Sequence, residues 1–126
     1  MLHQQGVDSV VLERQSRARV LERIRAGLLE WGSVEVLRAA GVGERMDREG
    51  EVHDGTAIAW AGRSRMLINT EKYAGRSVMM YGQTALTEDL YAARDTMGGV
   101  IIDEAAEVTP GDIDTDAPYV TYSKGW

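Results

Sequence analysis

A short apolar stretch, followed by one acid and a pair of arginines, is the part of this chain best suited to chemistry. The apolar run 7–12 predicts a buried parallel strand, and Glu13 stands at its carboxyl end. An acid in that position can accept hydrogen bonds from ribose hydroxyls. Arg23 and Arg25 follow closely, and guanidinium groups bind phosphate oxygens through paired hydrogen bonds. The pattern favours a dinucleotide site. The alternatives are that Glu13 is an ordinary acid without a binding role, since acids often follow strands, and that the arginines belong to a solvated loop.

Small residues and a helix start extend this candidate site. Ala26 and Gly27 follow Arg25 and leave room for a bulky ring to approach the backbone. Gln83 lies in the run 81–84, Tyr-Gly-Gln-Thr, where an extended segment meets a helix start and free amide groups favour an anionic or carbonyl partner. Gln83 as an ordinary polar residue of the first helical turn is an equal alternative.

His53 is the candidate for proton transfer. It stands at the start of a predicted strand beside Asp54, and an imidazole exchanges its proton near neutral pH. A surface or hydrogen-bonded structural histidine is the commoner alternative, so the role depends on what surrounds the ring.

No metal site is expected. His3 and His53 lack the spacing of metal ligands, and the chain contains no cysteine, which also excludes disulfides. The acids at positions 112, 114 and 116 resemble a calcium loop only briefly, because Ala117 stands where that loop needs glycine. These acids are expected in a solvated hairpin. No serine or cysteine nucleophile signature and no phosphate-loop motif supports hydrolase or nucleotidase chemistry.

Charge and hydropathy argue against a nucleic-acid-binding protein, a membrane-spanning protein and a secreted protein. The formal net charge of -6 argues against a nucleic-acid partner, which normally requires a basic face. The apolar runs are too short to span a bilayer, and the first residues lack the basic start and apolar middle of a signal peptide. These features predict a cytoplasmic protein without a membrane partner.

Periodicity and turn residues predict an α/β fold with mixed β segments, in one incomplete domain over residues 1–126. Residues 1–5 are expected to end a helix at Gly6, and residues 69–76 to form a loop. The long helix is expected to begin near Gln83, with Thr84 as its cap. Helices are also predicted at 29–40 and 43–48, and extended segments at 52–60, 66–68, 77–81, 100–102, 106–108 and 119–122, with turns at 61–64 and 110–112.

Taken in order, several of these motifs resemble the flavin-dependent aromatic hydroxylases, in particular the branch that acts on 4-hydroxybenzoate. The similarity runs from about residue 2 to residue 122 with little need for gaps. It rests on the runs VVLERQ at 10–15, RIRAGLLE at 23–30, GVGERM at 41–46, VHDG at 52–55 and YGQT at 81–84.

The resemblance implies an FAD-binding domain of the glutathione-reductase-like Rossmann type. The family hydroxylates a small aromatic acid next to its phenol, here 4-hydroxybenzoate to 3,4-dihydroxybenzoate, with FAD as cofactor, NADPH as co-substrate and oxygen. By the same resemblance His53 belongs to a proton network that helps to ionise the phenol, and a homodimer is compatible with the family. The implied cofactor residues are Glu13, Arg14, Gln15, Arg23, Ile24, Arg25, Ala26, Gly27, Leu28 and Gln83, with the arginines also bearing on NADPH use.

The resemblance also implies that this sequence is a fragment. The first strand with its GxGxxG turn and the downstream residues that hold the aromatic acid are not in it. The chain alone is therefore expected to be inactive and to aggregate or associate, because a sheet without its first strand has unpaired edges. A related hydroxylase of another phenolic acid, and a truncated non-catalytic binding or interaction protein, remain the alternatives.

Overall fold

The computed structural model describes residues 1–23 and 25–125. They divide into two compact units, which we call the first unit (residues 1–23 and 91–125) and the second unit (residues 25–90). The helices are α1 (Arg17–Glu22), α2 (Trp31–Ala39), α3 (Glu44–Glu49), α4 (Thr70–Ala74) and α5 (Gln83–Thr96), with a 3-10 turn at His3–Gln5. The strands are β1 (Val10–Leu12), β2 (Leu28–Glu30), β3 (Glu51–His53), β4 (Gly55–Ile58), β5 (Met66–Asn69), β6 (Val78–Met80), β7 (Val100–Ile102), β8 (Ala105–Gly111) and β9 (Tyr119–Lys124).

A parallel strand pair forms the centre of the first unit. β1 pairs with β7, so that Val10 lies opposite Val100 and Leu12 opposite Ile102. The predicted parallel strand is confirmed over residues 10–12 but not over residues 7–9, and the expectation that it is buried is wrong. Val10 and Val11 remain 58% and 46% exposed, because β1 pairs with no strand but β7 within the described residues.

The rest of the first unit adds a short helix and a long hairpin. α1 begins after Ser16, whose side chain accepts a hydrogen bond from the Arg19 amide at 3.3 Å. β8 and β9 pair antiparallel, and Pro110 lies within the ladder opposite Val120. The turn predicted at 110–112 therefore falls later, at 112–118, since a proline is tolerated in an edge strand. The acids of this turn are exposed, as expected of a solvated hairpin.

A three-stranded antiparallel sheet in the order β2-β6-β3 organises the second unit. Met80 of the central strand faces Leu28 on one side and Glu51 on the other. Because residues 28–30 join this sheet, the helix predicted over 29–40 begins only at Trp31. The helix predicted over 43–48 is confirmed within one residue as α3.

The strand predicted over residues 52–60 is divided at Asp54. β3 joins the three-stranded sheet, whereas β4 pairs with β5 in the separate hairpin that the sequence predicted. At the break, the Asp54 carbonyl accepts hydrogen bonds from the Thr70 amide at 2.8 Å and the Thr70 hydroxyl at 3.0 Å. The Asp54 carbonyl is therefore bonded to the start of α4.

Two expectations about helix starts are wrong. Residues 70–74 form α4 instead of a loop, because the Asn69 side chain accepts the Lys72 amide at 2.6 Å and Gly75 ends the helix with φ at 66°. Thr84 does not cap α5, since that helix already begins at Gln83. The Gly82 carbonyl accepts the first α-helical bond of this helix, from the Leu86 amide at 3.0 Å.

The buried apolar core lies in the second unit, between the sheet and the helices α2 and α3. Trp31, Val42, Ala85 and Leu86 pack against it while remaining partly exposed. Burial of these apolar side chains supplies the main driving force for folding in this part of the chain. The core cluster comprises Leu29, Val34, Leu37, Met46, Met79 and Tyr81. Within the described residues no helix has the length and apolar character needed to cross a membrane.

Candidate functional site

Glu13 stands directly after β1, as the sequence predicts, and its backbone continues the parallel pairing. The Glu13 amide donates to the Ile102 carbonyl at 3.0 Å, and its own carbonyl accepts from the Ala105 amide at 2.9 Å. The side-chain Oε1 accepts a hydrogen bond from the Gln15 amide at 2.8 Å. The carboxylate is thus half-buried and held by the chain that follows it.

Arg14, Gln15 and Arg23 also belong to the first unit. Arg14 and Arg23 are exposed, and Arg23 is the extended residue that ends α1. Gln15 is half-buried, and its carbonyl accepts from the Glu104 amide at 3.2 Å. Ile24, which the resemblance places in the same run, lies outside the described residues.

A polar cluster that sequence analysis missed lies in the first unit, on α1 and the C-terminal part of α5. Arg17 forms a two-pronged ion pair with Asp95, with its shortest contact at 2.6 Å, and its guanidinium carbon lies 4.3 Å from the centre of the Tyr91 ring. The Tyr91 hydroxyl donates to Asp103 at 3.2 Å. Nothing in the sequence signals these pairs, since Arg17 and Asp95 are 78 positions apart.

The charges and the burial in this cluster shift the pKa values of Asp95 and Tyr91. The Arg17 guanidinium, through its hydrogen bonds and charge, holds the pKa of Asp95 below its usual range. Burial raises the pKa of the Tyr91 phenol, and the carboxylates of Asp103 and Glu13 raise it further. Tyr91 therefore stays a neutral hydrogen-bond donor at physiological pH.

The backbones at Gly27 and Tyr81 meet in the second unit. The Tyr81 amide donates to the Gly27 carbonyl at 2.7 Å. A methyl group built on Gly27 would lie 2.9 Å from the Tyr81 carbonyl oxygen and 3.1 Å from the Gly82 Cα. Glycine is required here because the chain's own backbone approaches so closely. Gln83 follows at once as the first residue of α5 and is half-buried.

The structure therefore brings Gly27, Leu28 and Gln83 to the same end of the three-stranded sheet. Leu28 is the first residue of β2 and is 44% exposed, and Arg25 and Ala26 just before it are exposed as well. The first-turn amides of α5 have no carbonyl partner within that helix, so this end of the sheet offers donors to an anion or a carbonyl group.

His53 lies at the other end of the same sheet. It is the last residue of β3 and pairs with Val78, the first residue of β6, while Leu28 pairs with Met80 at the end of that strand. The imidazole is exposed, and its Nε2 lies 3.5 Å from the Glu51 carboxylate. The sheet thus separates His53 from Gly27 and Gln83 by the length of a short strand.

Tyr81, Asp89 and Arg45 form a second polar cluster that sequence analysis missed. The Tyr81 ring is 5% exposed, and its hydroxyl donates to Asp89 at 2.5 Å. Burial, followed by the Asp89 carboxylate, raises the pKa of the Tyr81 phenol well above its usual value. The spacing of Arg45 and Glu49, four residues apart on α3, is the part of this cluster that a helical pattern could have indicated.

A cleft of about 400 Å³ opens beside β2 and β6 in the second unit. Its lining includes Leu28, Trp31, Val78 and Arg76, and the Arg76 guanidinium pairs with Glu35 at 2.6 Å. The cleft is mainly apolar and falls in the size range of small-molecule pockets. Among the described residues, no group of three acids or histidines is arranged to hold a metal ion.

Comparison with known proteins shows the family to which this chain belongs. The model of the family described as FAD binding domain matches residues 1–125. The p-hydroxybenzoate hydroxylase of Acinetobacter baylyi (strain ATCC 33305 / BD413 / ADP1) is 35% identical over 122 residues, which is 97% of this chain and 30% of that protein. The chain therefore spans less than a third of that relative's length. The match over nearly every residue shows that the chain belongs to the FAD binding domain family.

Proposed function

We propose that this chain is the FAD-binding part of a flavin-dependent aromatic hydroxylase, a monooxygenase that converts 4-hydroxybenzoate to 3,4-dihydroxybenzoate with NADPH and oxygen. The observation that carries the proposal is the relative named a p-hydroxybenzoate hydroxylase, which is similar to 97% of this chain. The family match and the order of the five sequence motifs support the same function. A Rossmann-type fold is proposed with it, supported by the parallel pair β1 and β7.

The described side chains fit such a cofactor by their chemistry. Glu13, at the carboxyl end of a parallel strand, offers a carboxylate to the adenosine ribose. Exposed Arg14, Arg23 and Arg25 offer guanidinium groups to phosphate, and Gln83 offers a side-chain amide at a helix start. Gln15, Ile24, Ala26, Gly27 and Leu28 complete the proposed set by position in the matching run.

When bound, FAD supplies electron transfer from NADPH and the activation of oxygen. The residues of this chain are proposed to bind the cofactor and to orient it. Glu13 and Gln83 fix two parts of the dinucleotide, while the arginines neutralise the pyrophosphate and assist the use of NADPH. A small aromatic acid is the proposed substrate, and a homodimer is the proposed assembly.

His53 is proposed to relay a proton that helps to ionise the substrate phenol. Its exposed imidazole can exchange protons with water, and its Nε2 lies 3.5 Å from the Glu51 carboxylate. In this role His53 affects hydroxylation and not cofactor affinity, which agrees with its place at the far end of the sheet from Gln83.

The first experiment is a titration with FAD of the protein expressed from its complete coding sequence, followed by flavin fluorescence and visible absorbance. Size-exclusion chromatography on the same sample reports its association state. Saturable binding, with NADPH oxidation that depends on 4-hydroxybenzoate and yields 3,4-dihydroxybenzoate, is expected. Binding of FAD without turnover of any phenolic acid would instead favour a non-catalytic binding protein.

Two substitutions separate the proposed role in cofactor binding from the proposed role in proton transfer. Arg25→Ala is expected to weaken FAD or NADPH binding, because it removes a phosphate-binding guanidinium. His53→Ala is expected to lower hydroxylation about 10²-fold, in the range of lost proton-transfer catalysis, with FAD affinity unchanged. Normal turnover and cofactor affinity in both variants would contradict the assignment.

A further inference from the structure

Tyr81 contacts the Gly27 backbone through its main chain and a charged cluster through its side chain. Its amide donates to the Gly27 carbonyl at 2.7 Å, and Gly82 and Gln83 follow it directly. Its ring is buried in the core, at 5% exposure, and its hydroxyl donates to Asp89 Oδ2 at 2.5 Å. A shift of this ring would move the backbone on which Gly27 and Gln83 depend.

Asp89 extends the contact to two helices. It lies on α5 with its side chain 16% exposed, and its Oδ1 accepts from the Arg45 guanidinium at 3.4 Å. Arg45, on α3, also binds Glu49 at 2.9 Å and Glu88 at 3.0 Å. The guanidinium is therefore fixed by three carboxylates, and through Asp89 it holds the Tyr81 hydroxyl in place.

The close approach at Gly27 makes the position of Tyr81 critical. A methyl group on Gly27 would lie only 2.9 Å from the Tyr81 carbonyl oxygen, so little free space separates the two chain segments. Small displacements in tightly packed regions are transmitted to neighbouring atoms instead of being absorbed. The polar cluster thus holds the residue that lies two positions before the start of α5.

We propose that Tyr81, Asp89 and Arg45 are positioning residues for FAD, which hold the Gly27 backbone and Gln83 in their binding arrangement without contacting the cofactor. This inference rests on the proposed function of the chain. Tyr81→Phe tests it directly, because the substitution keeps the buried ring and removes only the hydroxyl that binds Asp89.

The first measurement is amide hydrogen exchange of the protein without FAD. In Tyr81→Phe, the amides of residues 81 and 86, which bond to Gly27 and Gly82, are expected to exchange about tenfold faster relative to the Val42 amide, which bonds to Leu37. The matched control is Val34→Ala, which leaves a cavity in the same core. It is expected to speed all these amides together and leave their ratio unchanged. An unchanged ratio in Tyr81→Phe would overturn the inference.

The second measurement is the FAD titration of the same variants well below their melting temperatures. The Kd for FAD is expected to rise about tenfold in Tyr81→Phe and about threefold in Asp89→Asn, which keeps an acceptor for Tyr81 but loses the charge that binds Arg45. Val34→Ala is expected to bind as the unsubstituted protein does.

The two possible failures are distinguishable. FAD binding that is unaffected by Tyr81→Phe would overturn the positioning role alone. Absence of FAD binding by the unsubstituted protein would overturn the proposed function, and the positioning of FAD with it, whatever the exchange ratio shows.

Discussion

Each of the two units of this chain is stabilised internally by a different kind of interaction. The second unit encloses seven buried apolar side chains, from Leu29 to Tyr81 in the sequence, around its three-stranded sheet. In the described part of the first unit the one buried apolar residue is Ala105, and charged contacts such as Arg17 with Asp95 and Tyr91 connect its elements. Apolar burial contributes far more to stability than exposed ion pairs. Gly27 and Gln83 therefore belong to the unit with the larger buried apolar core, and Glu13 to the unit with little apolar burial.

Shortening an apolar side chain is expected to lower the free energy of unfolding much more in the second unit than in the first. Met46→Ala is expected to lower the free energy of unfolding by about 2–4 kcal/mol, because Met46 is fully buried and its removal leaves a cavity. Val11→Ala in β1 is expected to cost about 0.5 kcal/mol, since Val11 is already 46% exposed. Urea unfolding measures both. Equal losses would show that β1 is buried in the protein in solution.

Two glycines of the second unit differ in the free space around them. Gly27→Ala is expected to cost about 1–3 kcal/mol of stability and to weaken FAD binding at least tenfold, because the added methyl group meets the Tyr81 carbonyl. Gly32→Ala on α2 is the matched control, with no described atom within 4 Å of the new methyl group. It is expected to stabilise the helix by about 0.5–1 kcal/mol and to leave FAD binding intact. Thermal melts and FAD titrations separate the two.

Glu13 tests whether the first unit contributes to the cofactor site. Glu13→Gln keeps an oxygen that can accept the Gln15 amide but removes the charge, and it is expected to raise the Kd for FAD about tenfold with little change in Tm. Glu22→Gln, an exposed acid on α1, is the control and is expected to bind FAD normally. Equal affinities in both variants would remove Glu13 from the site.

The smallest expected effect is the pH dependence of the Arg17 ion pair. The pKa of Asp95 is lowered in the folded protein, so the stability from this pair is present above the ordinary aspartate pKa of about 3.9 and is lost as the pH falls through the lower, folded value. Arg17→Met is expected to lower Tm by about 1–3 °C near neutral pH, with the difference from the unsubstituted protein shrinking below about pH 4 and disappearing below the folded pKa of Asp95. A difference that persists in acid would assign the effect to packing on Tyr91.

Features that depend on residues close together in the chain could be predicted from the amino-acid sequence. The acid after β1, the end of α2 before Gly41, the hairpin of β4 and β5, and the start of α5 near Gln83 all follow from local periodicity and backbone preferences. The same local signals carried the family resemblance, which the family match over residues 1–125 confirms.

Contacts between segments that are distant in sequence become visible only in the folded chain. The division of the predicted strand at Asp54, the closeness of Gly27 to Tyr81, and the contact of Tyr81 with Asp89 and Arg45 depend on residues far apart in sequence or in different elements. Local patterns carry no information on such pairs, because which side chains meet is settled by the packing of the sheet against its helices. For the same reason the exposure of Val10 could not be predicted, since an apolar strand is buried only when other elements cover it.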